Sequence, residues 1–378
     1  MKLSLAASVD DYRELARRRL PRLLFDYVDG GSYAEETLRR NVADMRAVTL
    51  RQRVLRDMSH VDTGTHLLGH DLSMPLLLGP VGFAGMLARR GEVQAARAAR
   101  SAGLPFVLST VGVCSATEVT RDAGGPPWFQ LYMIRDRGFM RDLLLKVGAL
   151  GCPVLVLTVD LPVPGTRYRD IRSGLNERPG VASNLRRVWQ GLTHPGWLRD
   201  VQMGGKPLLF GNLEGACEGA DSIPGMWTWI QQNFDPSVTW ADLAFIRQHW
   251  RGPIVIKGIL DPDDARTAVA EGADAIVISN HGGRQLDSAA SSIAALPAIA
   301  AAVDRRIPVL MDGGVRSGLD VLKALTRGAD ACLIGRAWAY ALAAGGEEGV
   351  NRLLATFRDE LRTAMILTGV NRIAEVRG

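Results

Sequence analysis

Lysine is nearly missing from this chain: Lys2, Lys146, Lys206, Lys257 and Lys323 stand among 45 basic residues, so arginine carries the net charge of +5. The arginines are interleaved with acids, which reads as a solvated surface rather than a nucleic-acid face, and no nucleic-acid partner is expected. Cysteine is scarce as well. Cys114, Cys152, Cys217 and Cys332 lie far apart, with no metal-ligand spacing, and are expected to be reduced and structural. The six histidines include no pair spaced for a metal, so no zinc site is expected. No apolar run reaches the roughly 18 residues of a membrane span. The short apolar stretch after Lys2 soon meets Asp10, Asp11 and Glu14, unlike a secretory signal, and a cytoplasmic protein is expected.

What the chain does have is apolar material, 47% over 378 residues, enough for a large core. Eight short apolar runs are bounded by Gly, Pro or polar residues. They are "PLLLGPVG" from 75, "PFVLSTVG" from 105, "WFQLYM" from 128, "VLVLTVD" from 154, "PIVIKGI" from 253, "AIVISNHGG" from 275, "PVLMDGG" from 308 and "ACLIGR" from 331. Helical patterns such as "EVQAARAARSAG" and "SGLDVLKALTRGA" lie between them, most ending in or next to Gly. Near-continuous apolar strands alternating with helices mean an α/β fold with a parallel sheet covered on both sides. Eight units predict a (β/α)₈ TIM barrel over about 75–345, close to the usual ~250 residues once an insertion is subtracted. A doubly wound open sheet is the competing architecture.

The fourth and fifth runs start about 99 positions apart (154 and 253), against about 20 to 35 elsewhere. This spacing predicts a long insertion after strand 4, about 171–250. It holds Arg186, Arg187 and six of the eight tryptophans, from Trp189 to Trp250, and reads as a lid, a partner surface or a mobile segment. The first 70 residues, rich in helical pattern, are expected to cap one end of the barrel, and residues 1–378 form a single domain.

In such a barrel the site lies at the C-terminal ends of the strands. There "SNHGGRQLD" (279–287) places His281 and Arg284, Ser109 follows "FVL", and period-two alternation puts Gln130 with Tyr132 and Thr158 with Asp160 on common faces. Lys257 ends "IVIK", where a buried ammonium needs an anion. Asp160, if it reaches His281, orients the imidazole as a general base. The turns "DGGVRSG" (312–318) and "IGR" (334–336), with Arg316 and Arg336, occupy the usual phosphate seat of barrels, which points to a phosphorylated cofactor or substrate.

These motifs, with "FQLY", "LTVD", "VIKGI" and the flanking "LPRLLFDYVDGGSYAEETLRRN" and "AMILTGV", resemble the FMN-dependent L-2-hydroxy acid dehydrogenase and oxidase family over nearly the whole chain. Within it, "MPLLLGPVGFAGM", "PGTRYRD" and "QNFDPSVTW" look closest to bacterial respiratory L-lactate dehydrogenases, with mandelate dehydrogenases next. The resemblance implies FMN as cofactor and oxidation of an L-2-hydroxy acid, L-lactate to pyruvate, with a mandelate-type dehydrogenase or an oxygen-using oxidase as alternatives. It implies that His281 takes the substrate proton, paired with Asp160; that Arg167 and Arg284 hold the carboxylate; and that Tyr27 and Tyr132 bond the substrate oxygens. For the flavin it implies Lys257 near N1 and O2, and Ser109, Gln130, Thr158 and Ser279 along the ring edge. Backbone of Pro80, Val81 and Gly82 would line its other side, with Asp312, Gly313, Gly314, Arg316, Gly335 and Arg336 at the ribityl phosphate. Glycine at 82, where family oxidases often have alanine, leans towards a dehydrogenase passing electrons to a quinone or cytochrome. The tryptophans and arginines of the insertion suit peripheral contact with the inner face of the cell membrane through about 175–235. The family also suggests a homo-oligomer, a tetramer.

Overall fold

In the computed structural model, residues 2–175, 180–216 and 223–377 are described. All eight apolar runs are strands: β3 (Leu76–Leu78), β4 (Val107–Ser109), β5 (Trp128–Leu131), β6 (Leu155–Thr158), β7 (Ile254–Ile259), β8 (Ala275–Ile278), β9 (Val309–Met311) and β10 (Ala331–Ile334). They pair in parallel in the order β3-β10-β9-β8-β7-β6-β5-β4. A parallel bridge from Leu78 to Phe106, just before β4, joins the two edges and closes the barrel. The predicted barrel therefore forms, and the open sheet is excluded.

Alternation along the strands decides what the barrel encloses. Leu77, Val107, Trp128, Val154, Val156, Val255, Val277, Leu310 and Leu333 form an apolar cluster separate from the outer one. The outward residues, such as Phe129, Leu155 and Ile256, pack against the surrounding helices. Two residues further along each strand, the same inward face reaches Gly79, Ser109, Gln130, Thr158, Lys257, Ser279, Asp312 and Gly335. The barrel is thus oily below and polar in its top layer, which floors the site.

The N-terminal segment does cap the top, through helices Arg22–Asp29, whose Tyr27 and Val28 line the cavity there, and Glu36–Ala47, whose Thr37 and Asn41 bond the 279–287 turn, while Val9–Arg19 packs on the helix Arg336–Thr368. It also supplies something the helical pattern did not announce. An antiparallel hairpin, β1 (Thr65–Leu67) and β2 (His70–Leu72), puts Leu67 and Leu72 into the interior cluster and plugs the opposite end. Strands of three residues are too short to show a period. Residues beyond 345 continue as the helix Arg336–Thr368, interrupted at Gly345 and Gly346.

The insertion contains helices Tyr168–Ser173, Val181–Leu192 and Ile223–Asn233, while Asp242–His249 is the ordinary crossover helix leading into β7. Residues 176–179 and 217–222 of the expected 171–250 insertion, Cys217 among them, lie outside the described residues. So do the side chains of 181–184 and 187, and hence that of Arg187. Cys114, Cys152 and Cys332 are free and buried, as expected, and burial pushes the Cys152 thiol up to about 12. No described helix is long and apolar enough to cross a membrane.

Candidate active site

The polar top layer is wired before any ligand arrives. Lys257 is 4% exposed, lies 2.8 Å from Asp312 Oδ2 and donates to Ser279 Oγ at 2.8 Å. Burial alone would lower the ammonium pKa, but Asp312 and Asp160 outweigh it and hold the pKa above the ordinary lysine value. Ser109 Oγ donates to Gln130 Oε1 at 3.0 Å. Gln130 Nε2, Thr158 Oγ1, Asp160 Oδ2 and Asp312 Oδ1 are buried with no hydrogen-bond partner among the described residues. A native interior rarely strands that many polar atoms together unless a ligand completes them.

The motif at 279–287 does two jobs. His281, Gly282 and Gly283 are consecutive left-handed residues, φ 56°, 65° and 72°, turning the chain back over the barrel mouth. A Cβ at Gly283 would meet the backbone N of Leu38 at 2.5 Å, so glycine is required there on both counts. Asn280 exchanges hydrogen bonds with Asn41, and Asp287 accepts from the N–H groups of Ala34 and Thr37, fastening the turn to the cap. Gln285 donates to the carbonyls of Asp160 and Val163, fastening it to the loop after β6.

His281 is held rather than free. Its N–H donates to Ser279 Oγ at 3.0 Å and its Nδ1 lies 2.9 Å from Asp160 Oδ1, leaving Nε2 for the cavity that the residue lines. Burial lowers the imidazole pKa below its ordinary value although Asp160 opposes it, and Lys257 adds to the lowering. For Asp160, burial pulls the other way, but His281 and Lys257 keep the carboxylate below the usual range. The pair is therefore a neutral imidazole backed by an anion, the state a general base requires.

Arg284, Arg167, Tyr27 and Tyr132 line the same cavity. Arg284 Nη1 donates to the carbonyls of Tyr27 and Gly30 at 2.5 and 2.9 Å, and its guanidinium lies 4.9 Å from the Tyr27 ring centre. Arg167 stands 3.6 Å from Asp170; burial, with Arg284 close by, pushes its pKa down to about 10. A buried guanidinium, Arg167, beside the half-buried one of Arg284 is a receptor for an anion. Tyr132 stacks on Phe234, ring centres 4.8 Å apart.

Pro80, Val81, Gly82, Gly313, Gly314, Arg316, Gly335 and Arg336 also line this cavity. Gly313 and Gly314 have φ 88° and 89°, and a Cβ on Gly314 would meet Asn41 O at 2.2 Å, whereas one on Gly335 would meet only Val81 at 3.8 Å, leaving bare backbone there open to a ligand. The helix after Gly335 has no side-chain cap, so its first N–H groups face outward as an anion seat. The two arginines differ. Arg336 directs Nε, Nη1 and Nη2 to the carbonyls of Val28, Gly282 and Gly30 at 2.8 to 3.0 Å, so it braces the site, and burial pushes its pKa down to about 9. Arg316 donates from Nη1 to Val315 O.

Thr158, Lys257 and Asp312 face the cavity, whereas Ser109, Gln130, Asp160 and Ser279 stand behind it. Sequence reasoning missed one wall: Trp227, Ile230 and Phe234 of the insertion line it too. Their spacing of three and four residues on one helix face was the available signal.

A family model described as FMN-dependent dehydrogenase matches residues 16–378. An L-lactate dehydrogenase of Caulobacter sp. (strain K31) is 54% identical over 98% of this chain and 97% of its own length. One of Haemophilus influenzae (strain PittEE) is likewise 54% identical over 98% and 97%. Among solved structures, a monotopic membrane protein, (S)-mandelate dehydrogenase, superposes with a TM-score of 0.91 at 35% identity over 99% of this chain and 98% of that one. A mandelate oxidase with (S)-4-hydroxymandelic acid does so with 0.86 at 37% identity over 98% of both.

Proposed function

The chain belongs to the FMN-dependent dehydrogenase family, and from that premise we propose that it oxidises L-lactate to pyruvate at the mouth of the barrel. The observation that carries the reading is the convergence of the His281–Asp160 pair, the guanidinium groups of Arg167 and Arg284 and a buried ammonium around one cavity.

The cavity suits FMN on structural grounds. Thr158 and Asp312 hold unpartnered polar atoms that a ring edge of alternating donors and acceptors would satisfy, and Gly335 leaves backbone open beside an uncapped helix start. Lys257, Thr158 and the backbone at Pro80 to Gly82 would hold the ring, with Arg316 and the turn at 312–314 at the phosphate end. Bound there, FMN supplies a two-electron sink for the oxidation. Lys257 places positive charge where negative charge develops. Arg167 and Arg284 orient the substrate carboxylate, and Tyr27 and Tyr132 bond its oxygens. His281 Nε2 takes the substrate proton, and Asp160 stabilises the imidazolium that results.

We further infer that the electrons leave to a quinone or cytochrome at a membrane surface. In support, the helix Val181–Leu192 exposes Leu185, Val188, Trp189 and Leu192 along one face, within the expected 175–235 segment.

The reading is tested by adding L-lactate, D-lactate or (S)-mandelate to the yellow FMN-loaded protein without oxygen. We expect bleaching by L-lactate, none by D-lactate, and slower bleaching by mandelate, whose phenyl group must fit between Trp227 and Phe234. Faster bleaching by mandelate would move the assignment to the mandelate branch. Absence of bleaching by any L-2-hydroxy acid would sink it.

A further inference from the structure

Four buried tryptophans of this chain direct their indole N–H to a backbone carbonyl. Trp197 donates to Met86 O at 2.8 Å, Trp229 to Ala216 O at 2.7 Å, Trp250 to Pro253 O at 3.1 Å and Trp338 to Gly79 O at 3.0 Å. Trp227 breaks the pattern. It is 8% exposed, its Nε1 is sealed from bulk solvent, and no acceptor among the described residues reaches it. A buried N–H without an acceptor costs about 1–3 kcal/mol. The helix Ile223–Asn233 carries that defect at the residue where it meets the cavity.

The neighbours of this ring point to what completes it. The Arg167 guanidinium lies 5.6 Å from the Trp227 ring centre and 6.0 Å from that of Tyr27, and the Arg284 guanidinium lies 4.9 Å from the same Tyr27 ring. An oxyanion drawn in by those guanidiniums brings acceptor oxygens to the same corner. Ile230 and Phe234 continue the wall from Trp227, so the space beside the anion is bounded by apolar surface.

We propose that Trp227 is a substrate-binding residue: its indole N–H donates to a carboxylate oxygen of the bound acid, while its ring, with Ile230 and Phe234, bounds the space for the acid's side chain. This rests on the reading of the cavity as a 2-hydroxy acid site. It adds a donor from the insertion to a set otherwise supplied by the barrel loops and the cap, so substrate ties the insertion to the barrel.

Trp227→Phe removes the N–H and keeps an aromatic face for Arg167. The probe is oxalate, a dicarboxylate with no hydrogen to give up, titrated into the FMN-loaded enzyme and followed by the change in the flavin spectrum. We expect its dissociation constant to rise about 10-fold or more, as for loss of a hydrogen bond to a charged group. KM for L-lactate should rise more than kcat falls, with FMN content and thermal midpoint unchanged. Oxalate affinity within twofold of wild type overturns the proposal. A crystal structure of the wild-type holoenzyme with oxalate decides independently of how the variant folds. A ligand oxygen within about 3.2 Å of Nε1 supports it, and Nε1 bonded to a protein carbonyl instead overturns it. If the wild type neither binds oxalate nor is bleached by any L-2-hydroxy acid, the functional reading itself fails.

Discussion

His281 sits at φ 56°, a conformation that costs a non-glycine residue about 1–3 kcal/mol unless its surroundings hold it. Here Ser279 and Asp160 hold it, so the strain fixes where Nε2 points. His281→Gln should keep FMN and lose about 10²- to 10⁴-fold in the rate of flavin reduction, the usual share of general base catalysis. Near-normal turnover would remove the assignment. The electrostatics make a sharper demand, because only the neutral imidazole accepts a proton and activity must fall in acid as it protonates. Asp160 raises the His281 pKa and Lys257 lowers it. Asp160→Asn should therefore move the acid limb of kcat/KM to lower pH, and Lys257→Met should move it to higher pH. Both should slow reduction, and stopped-flow profiles showing shifts of the same sign would refute this wiring. The histidine was legible because glycines follow it, and Asp160 because strand alternation selects it. The carbonyls gripped by Arg284 and Arg336 were not, since a backbone acceptor leaves no residue type to read.

At the scale of elements, residues 26–30 at the end of helix Arg22–Asp29 hold the cap to the site. Asp26 and Asp29 take Arg22, Arg13 and Arg169, and the carbonyls of Tyr27, Val28 and Gly30 take Arg284 and Arg336. The last carbonyls of a helix carry its negative end, so both kinds of contact suit cations. Burial alone would raise the Asp29 pKa, but Arg13, Tyr340 and Arg169 outweigh it and hold the carboxyl below its usual range. Its contribution to stability is thus present above the ordinary aspartate value and lost as pH falls towards the folded one. Arg169 stands two residues from Arg167 and binds the acids on either side of Tyr27, so it couples two of the proposed substrate contacts from distant parts of the chain. Arg169→Met should lower stability in urea by about 2–3 kcal/mol, towards the low end for a broken buried pair because the side chain is partly exposed. It should also raise KM for L-lactate, with partial recovery in Arg169→Lys. An unchanged KM would confine the network to stability. "FDYVDGG" displayed Tyr27, but nothing local marked its acids as ligands for arginines some 140 positions away.

The molecule as a whole was most legible where physics repeats: eight buried strands alternating with helices, evenly spaced but for one insertion, favoured a barrel over a doubly wound sheet. The hairpin plug and the inner wall of the insertion were not, because each depends on contacts that a single pass along the chain does not contain. The insertion has two faces with different consequences. Its helix Ile223–Asn233 turns Trp227 inward, whereas Val181–Leu192 leaves Leu185 and Trp189 65% and 67% exposed, with Val188 and Leu192 on the same stripe. An apolar stripe with a tryptophan on an otherwise charged molecule fits the interfacial zone of a bilayer. The net charge of +5 favours anionic lipid. Replacing Leu185 and Trp189 together by glutamate sets two charges on that stripe, at side chains that do not line the cavity. The double variant should no longer sediment with vesicles containing anionic lipid, while its flavin is still reduced by L-lactate at the wild-type rate in solution. Sedimentation equal to wild type would show that this face meets something other than a membrane. Loss of lactate reduction along with it would show instead that the stripe supports the site.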